Sequence, residues 1–167
     1  MPDKDMPEKI GYEKCATEEY LVVSTKAKVA AGTAIEKAIQ ANFEIMQREF
    51  PKLNIKQTGP VLLIYHLKGE VNGAPTGEYA LETAYPIGRG KLIRIDPRSK
   101  LASRELKKSK CARHIFRGPV WETPWAGFVE AVKADGVRNI REIREVYRTF
   151  KGGASQENEI ELQIILE

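Results

Sequence analysis

One acidic side chain stands where a strand is otherwise apolar and aromatic. Over residues 143–150 a period-two reading puts Ile143, Glu145, Tyr147 and Thr149 on one face. Arg144, Val146, Arg148 and Phe150 fall on the other. Burying Glu145 in its charged form costs several kcal/mol unless something compensates, on the order of the penalty for any unpaired buried charge. A cationic ligand is one such partner; a basic neighbour on an exposed strand is the plainer alternative. Aromatic residues supply the other half of a site. Tyr65, Tyr85, Trp121, Trp125 and Tyr147 fall in strand interiors or at the start of a helix. There they could bind flat or cationic molecules by stacking and cation–π attraction, each worth about 0.5–2 kcal/mol. Core packing is the competing account, most of all for Trp125, which lies on an apolar helical stripe. Glu82 and Glu161 hold comparable places in two later strands. Either could add negative potential, although surface placement explains them as simply.

Other chemistries find little support. His66 and His114 are the only histidines and have no carboxylate cluster near them in sequence, which is weak evidence for a metal or haem. Cys15 and Cys111 fit no metal spacing, and both are expected to be reduced and structural. There is no strand–turn–helix elbow around a serine and no phosphate-cradling glycine loop. No cofactor and no metal are therefore expected.

The elements that would position these residues occur twice. Residues 63–69 around Tyr65 echo residues 145–152 around Tyr147, with Leu63 in the place of Glu145. Each tyrosine strand is preceded by a helical stretch and followed by a polar loop. Each loop leads into an alternating run opened by a glutamate, over residues 78–87 and 159–166. The first half reads as a strand over residues 20–25, a helix over 31–50 closed by Pro51, a strand over 61–67, a turn over 69–77 and a strand over 79–87. The second half reads as a strand over 111–116 broken by Gly118-Pro119, then a helix started by Thr123 as N-cap and Pro124 as its first residue. Strands over 143–150 and 159–166 complete it. In the last strand Ile160, Leu162, Ile164 and Leu166 face one way and Glu159, Glu161, Gln163 and Ile165 the other; one side must pack on helices.

Two such units cannot each bury a sheet alone. The expected fold is α+β: duplicated βαββ modules with pseudo-twofold symmetry and a curved, mainly antiparallel sheet. The helices lie on one face, and a ligand cleft on the other. Residues 1–18 form a flexible tail and 19–167 the domain, with repeat one at about 19–90 and repeat two at about 111–167. A basic connector joins them at about 96–110.

Composition sets the outer bounds. The chain has 167 residues, 42% of them apolar and 30% charged, as in a soluble globular domain. No window approaches the roughly 20 apolar residues of a membrane span. The polar N-terminal segment lacks a secretory core, so a cytoplasmic location is expected. Arg104, Lys107, Lys108, Lys110 and Arg113 set against Glu105 account for the whole net charge of +4. One basic loop is a narrow footprint for nucleic acid, so a nucleic-acid or protein partner bound through this connector is the weaker alternative; the sequence leaves the oligomeric state open.

Gly118-Pro119 ahead of an aromatic helix, Arg144-Glu145-Val146-Tyr147, and Asn158-Glu159-Ile160 opening the last strand together resemble the GyrI-like small-molecule-binding domain. That domain also serves as the effector-binding part of AraC-type and MerR-type multidrug regulators. Ile64-Tyr65-His66 and residues 79–87 resemble its first-half strands, so the likeness spans about residues 19–167. It implies a ligand groove between the halves, with Glu145 as an acidic floor for lipophilic cations. It also implies an alternative, since some standalone members resemble hydrolases that open strained cyclopropane rings of genotoxic compounds, in which Glu145 would be the catalytic acid or base. In regulators the domain follows a DNA-binding helix-turn-helix, for which residues 1–18 are too few and too polar. The chain departs from the pattern at Trp121, where the family often carries Gly-Pro-Tyr, and at Asn158, where it carries threonine.

Overall fold

A computed structural model describes residues 10–30, 34–68, 79–88 and 92–166. The expected turn over residues 69–77, the first residues of the expected helix at 31–33 and the tail at 1–9 lie outside the described residues. Eight strands form one antiparallel sheet: β1 (Glu13–Ala16), β2 (Tyr20–Val29), β3 (Leu62–Leu67), β4 (Tyr79–Pro86), β5 (Ala102–Leu106), β6 (Lys110–Arg117), β7 (Glu142–Thr149) and β8 (Glu159–Ile165). Their order across the sheet is β1-β6-β8-β7-β3-β4-β2-β5. Helix α1 (Ile35–Glu49) crosses from β2 to β3, and α2 (Trp125–Ala134) from β6 to β7.

The strand order is a palindrome of the two repeats, and the register locates its axis. Strands β3 and β7 meet at the centre with Leu63 opposite Glu145. Those two positions are each other's counterparts in the repeat, so the pseudo-twofold passes through that pair. The one difference that stood out in the sequence echo thus sits on the axis itself.

Both helices cover the same face. Ile35, Ala38, Ile39 and Phe43 of α1, with Phe128, Val129 and Val132 of α2, pack on Leu63, Tyr65, Leu81, Ile143, Ile160, Leu162 and Ile164. Of the two faces of β8, the one carrying Ile160, Leu162 and Ile164 meets the helices. Gly118 turns the chain after β6 at a φ of 139°, a conformation that favours glycine. Its N–H donates to the Asn158 carbonyl. Asn158 is buried and braces the loop before β8: its Oδ1 accepts from the Lys151 N–H, and its Nδ2 donates to the Gly152 carbonyl.

Several local expectations need correction. Strand β1 lies within the stretch read as a flexible tail, and β5 within the stretch read as a basic connector. Both are short edge strands completing the palindrome, β1 on β6 and β5 on β2. Thr123 does not cap α2; its hydroxyl donates to the Val120 carbonyl, closing a short 3-10 turn, and Pro124 is the residue before the helix.

Candidate functional site

Glu145 is buried, with 6% of its surface exposed. Its side chain points to the helix-bearing face rather than to the opposite face, where the sequence reading put the cleft. Three neutral donors hold it. The Tyr65 hydroxyl donates to Oε1 at 2.8 Å, the Tyr147 hydroxyl to the same oxygen at 3.2 Å, and the Trp125 indole N–H to Oε2 at 2.8 Å. The symmetry explains this convergence. Tyr65 and Tyr147 each stand two residues beyond the axial pair, on strands running in opposite directions, so both hydroxyls reach the one carboxylate on the axis. Trp125, the first residue of α2, closes the slot from above and stacks on Phe128 with ring centroids 5.8 Å apart.

No cation offsets this carboxylate among the contacts of the described residues. Burial raises its pKa above the ordinary glutamate value, and the three donors pull back against that rise. Both tyrosines are pushed the other way from ionisation: burial and then the Glu145 charge raise Tyr65 and Tyr147 well above the usual phenol range. The result is an acid surrounded by rings, with neutral hydrogen bonds but no counter-charge. It can release its proton and accept a desolvated cation, or keep the proton and donate it.

The remaining expected residues disperse. Tyr85 lies on the helix-bearing face but packs edge-on against Phe50, centroids 5.1 Å apart, beneath the end of α1. Trp121 is 68% exposed in the 3-10 turn before α2 and makes no hydrogen bond to Glu145. Phe150, which the sequence reading did not single out, stands exposed with its ring edge-on to Tyr147 at 5.8 Å. Its one signal was a large apolar residue beside the Gly152-Gly153 loop.

Glu82 is neither at the surface nor at Glu145. It lies on the helix-free face with no exposure, bound by the Ser24 hydroxyl at 2.6 Å, by His66 Nε2 at 2.9 Å and by two nitrogens of Arg104 at 2.8 and 2.6 Å. Burial works to raise its pKa, but the His66, Arg104 and Ser24 contacts outweigh it and hold the carboxyl well below the usual range. Glu161, its counterpart, is also buried there, with Arg148 at 3.3 Å and Arg113 at 4.0 Å. Both acids are paired with cations, in contrast to Glu145. A cavity of about 620 Å³ lies along residues 93–104 and is lined also by Ser24, Lys26 and Glu82, and one of about 570 Å³ lies beside the end of α1; Glu145 lines neither. Among the described residues no cluster of histidine, cysteine and acid side chains could hold a metal. No helix there is long and apolar enough to cross a membrane.

No protein-family model and no curated protein matches the sequence. Solved structures do match in shape. The isolated C-terminal domain of EcmrR superposes with a TM-score of 0.68 at 17% identity, over 94% of this chain and 97% of that one. EcmrR in its complex with DNA gives 0.72 at 14% identity over 98% of this chain, which spans 60% of that chain's length. SAV2435 bound to tetraphenylphosphonium gives 0.59 at 13% identity, over 95% of this chain and 94% of that one. The chain shares the fold of the EcmrR C-terminal domain and of SAV2435.

Proposed function

We propose that the chain binds small lipophilic cations in the slot between the two repeats, with Glu145 as counter-charge and Tyr65, Tyr147 and Trp125 as aromatic walls. The observation that carries this reading is a buried carboxylate held by three neutral donors and no cation. A positively charged, apolar guest gains the full attraction of a desolvated charge there, while a hydrated metal or a neutral polar solute does not. SAV2435, of the same fold, was solved with such a cation, tetraphenylphosphonium. The rings fill the slot in the state described, so entry requires Trp125 to swing off Glu145 and stack on the guest instead. Sequestration or sensing of toxic compounds is the role this chemistry suits.

Titration with tetraphenylphosphonium, followed by tryptophan fluorescence, tests the proposal. Saturable quenching in the micromolar range supports it, and an unchanged spectrum at millimolar cation defeats it. A hydrolase reading has one observation in its favour: the raised proton affinity of Glu145 beside two tyrosine hydroxyls suits a general acid. Mass spectrometry after incubation with a cyclopropane-bearing alkylator separates the two, since a pure binder returns the substrate intact. A nucleic-acid role through the basic stretch has less to rest on. Arg104 is engaged by Glu82 and Arg113 by Glu13, which leaves Lys107, Lys108 and Lys110 as its exposed charges.

A further inference from the structure

The only two cysteines of the chain, distant in sequence, meet across an edge of the sheet. Cys15 of β1 is the direct register partner of Cys111 of β6, and their Sγ atoms are 3.5 Å apart. The Thr17 N–H donates to the Ser109 carbonyl at 2.7 Å. Two residues along in the same register, Cys15 and Cys111 therefore form a hydrogen-bonded pair. Such pairs have a Cα spacing of about 5.5 Å, inside the roughly 4.4–6.8 Å that a disulfide spans. Closing the remaining gap takes rotation about the two Cα–Cβ bonds and a small approach of the edge strand, because a disulfide needs its Cβ atoms within about 3.5–4.5 Å. Cys15 is half-buried and Cys111 buried, so an oxidant reaches Cys15 first. Burial first, then the Cys15 contact, push the Cys111 thiol up to about 12, with only a minor opposing pull from Arg113.

We propose that Cys15 and Cys111 are a modification site: a dithiol that a peroxide converts to a disulfide, pinning the N-terminal strap across α2. The Cys15 thiolate attacks a peroxide oxygen, the O–O bond breaks, and hydroxide or alkoxide leaves, giving a sulfenic acid. Cys111 then attacks that sulfur and expels water. In balance, two thiols and one hydrogen peroxide give one disulfide and two waters.

The strap is what makes the bond consequential. Just before β1, Ile10 lies against Gly127 of α2, and the Tyr12 ring packs on Phe128 with centroids 5.9 Å apart. The Tyr12 hydroxyl donates to Asp135 at the end of α2, and His114 Nδ1 bonds the Gly11 carbonyl. In the reduced state these contacts and a four-residue edge strand hold the strap, all of them non-covalent. In the oxidised state it is covalently tied to β6, and α2 is held down along most of its length.

The test treats the whole chain with hydrogen peroxide under native conditions. The expected result is loss of both thiols, a mass lower by about 2 Da, and a monomer on non-reducing electrophoresis. Amide exchange should slow in residues 12–16 and in α2, and Tm should rise on the order of 10 °C, reversed by a dithiol reductant. Cys111→Ser should stop at the sulfenic acid on Cys15, trapped by a dimedone-type probe. Two thiols surviving in folded protein, or thiols lost only as intermolecular dimers, would overturn the site. A disulfide that leaves exchange in α2 unchanged would overturn the strap. Neither result depends on the ligand reading.

Discussion

Replacing Glu145 by glutamine removes one charge and almost no volume, and the consequence can be bounded from the site. A lipophilic cation stacked against Tyr65, Tyr147 and Trp125 stands about 5–6 Å from the carboxylate, the usual cation–ring range. At an effective dielectric near 20, a unit pair at that distance is worth about 3 kcal/mol, or roughly 100-fold in Kd. In bulk water the same pair is worth about 0.8 kcal/mol, roughly threefold to fourfold. The difference between those figures is the content of the claim that the carboxylate is buried and lacks a counter-ion. Glutamine keeps an oxygen for the Trp125 N–H and offers its amide protons to the tyrosine oxygens, so the fold should survive within about 1 kcal/mol. Calorimetry with tetraphenylphosphonium on wild type and Glu145→Gln reads the ratio. A loss near 100-fold supports the reasoning, and a loss of threefold or less refutes it.

Other predictions follow from the same contacts. Because the folded-state pKa of Glu145 is raised, its contribution to stability is complete below about pH 4.5 and is lost as pH rises through the folded value. Urea midpoints of wild type should therefore fall behind those of Glu145→Gln as pH increases. Glu82 has the opposite sign, since its lowered pKa stabilises above about pH 4.5 and that contribution fades on acidification. Glu82→Gln should destabilise the chain by roughly 2–4 kcal/mol at neutral pH, because it removes the charge that pairs the partly buried Arg104 and leaves one acceptor oxygen where Arg104, His66 and Ser24 now share two. It should change tetraphenylphosphonium affinity less than twofold, because Glu82 is on the other face. Tyr65→Phe and Tyr147→Phe each remove a donor that favours the carboxylate, and each should weaken cation binding by about 1 kcal/mol, near fivefold.

The duplication, the two tyrosine strands and the acid at position 145 were legible because each leaves a local signal: a repeated pattern and one charge inside it. That Leu63 and Glu145 face each other on the axis was not, because register is a property of paired strands. The edge strands escaped notice for a related reason. Residues 13–16 carry two charges in four residues, and residues 102–106 read as connector because Arg104 reaches inward to an acid in another strand. Which face Glu145 points to was not legible, because alternation shows that two faces differ but not which one the helices cover. Here the helix-free face is apolar as well, through Val22, Leu62, Ile64 and Val146. Glu82 and Glu145 look alike in sequence, each an acid between apolar neighbours, and only their partners distinguish them: an arginine, a histidine and a serine in one case, neutral rings in the other.

The most direct measurement is the titration of the Glu145 carboxyl itself, read by carbon-13 NMR with selective labelling and assigned by its absence in Glu145→Gln. The account predicts a midpoint above the ordinary glutamate value of about 4.5 that moves down when tetraphenylphosphonium is added, as the cation takes over the charge. A midpoint at or below the ordinary value that the cation leaves in place would contradict it.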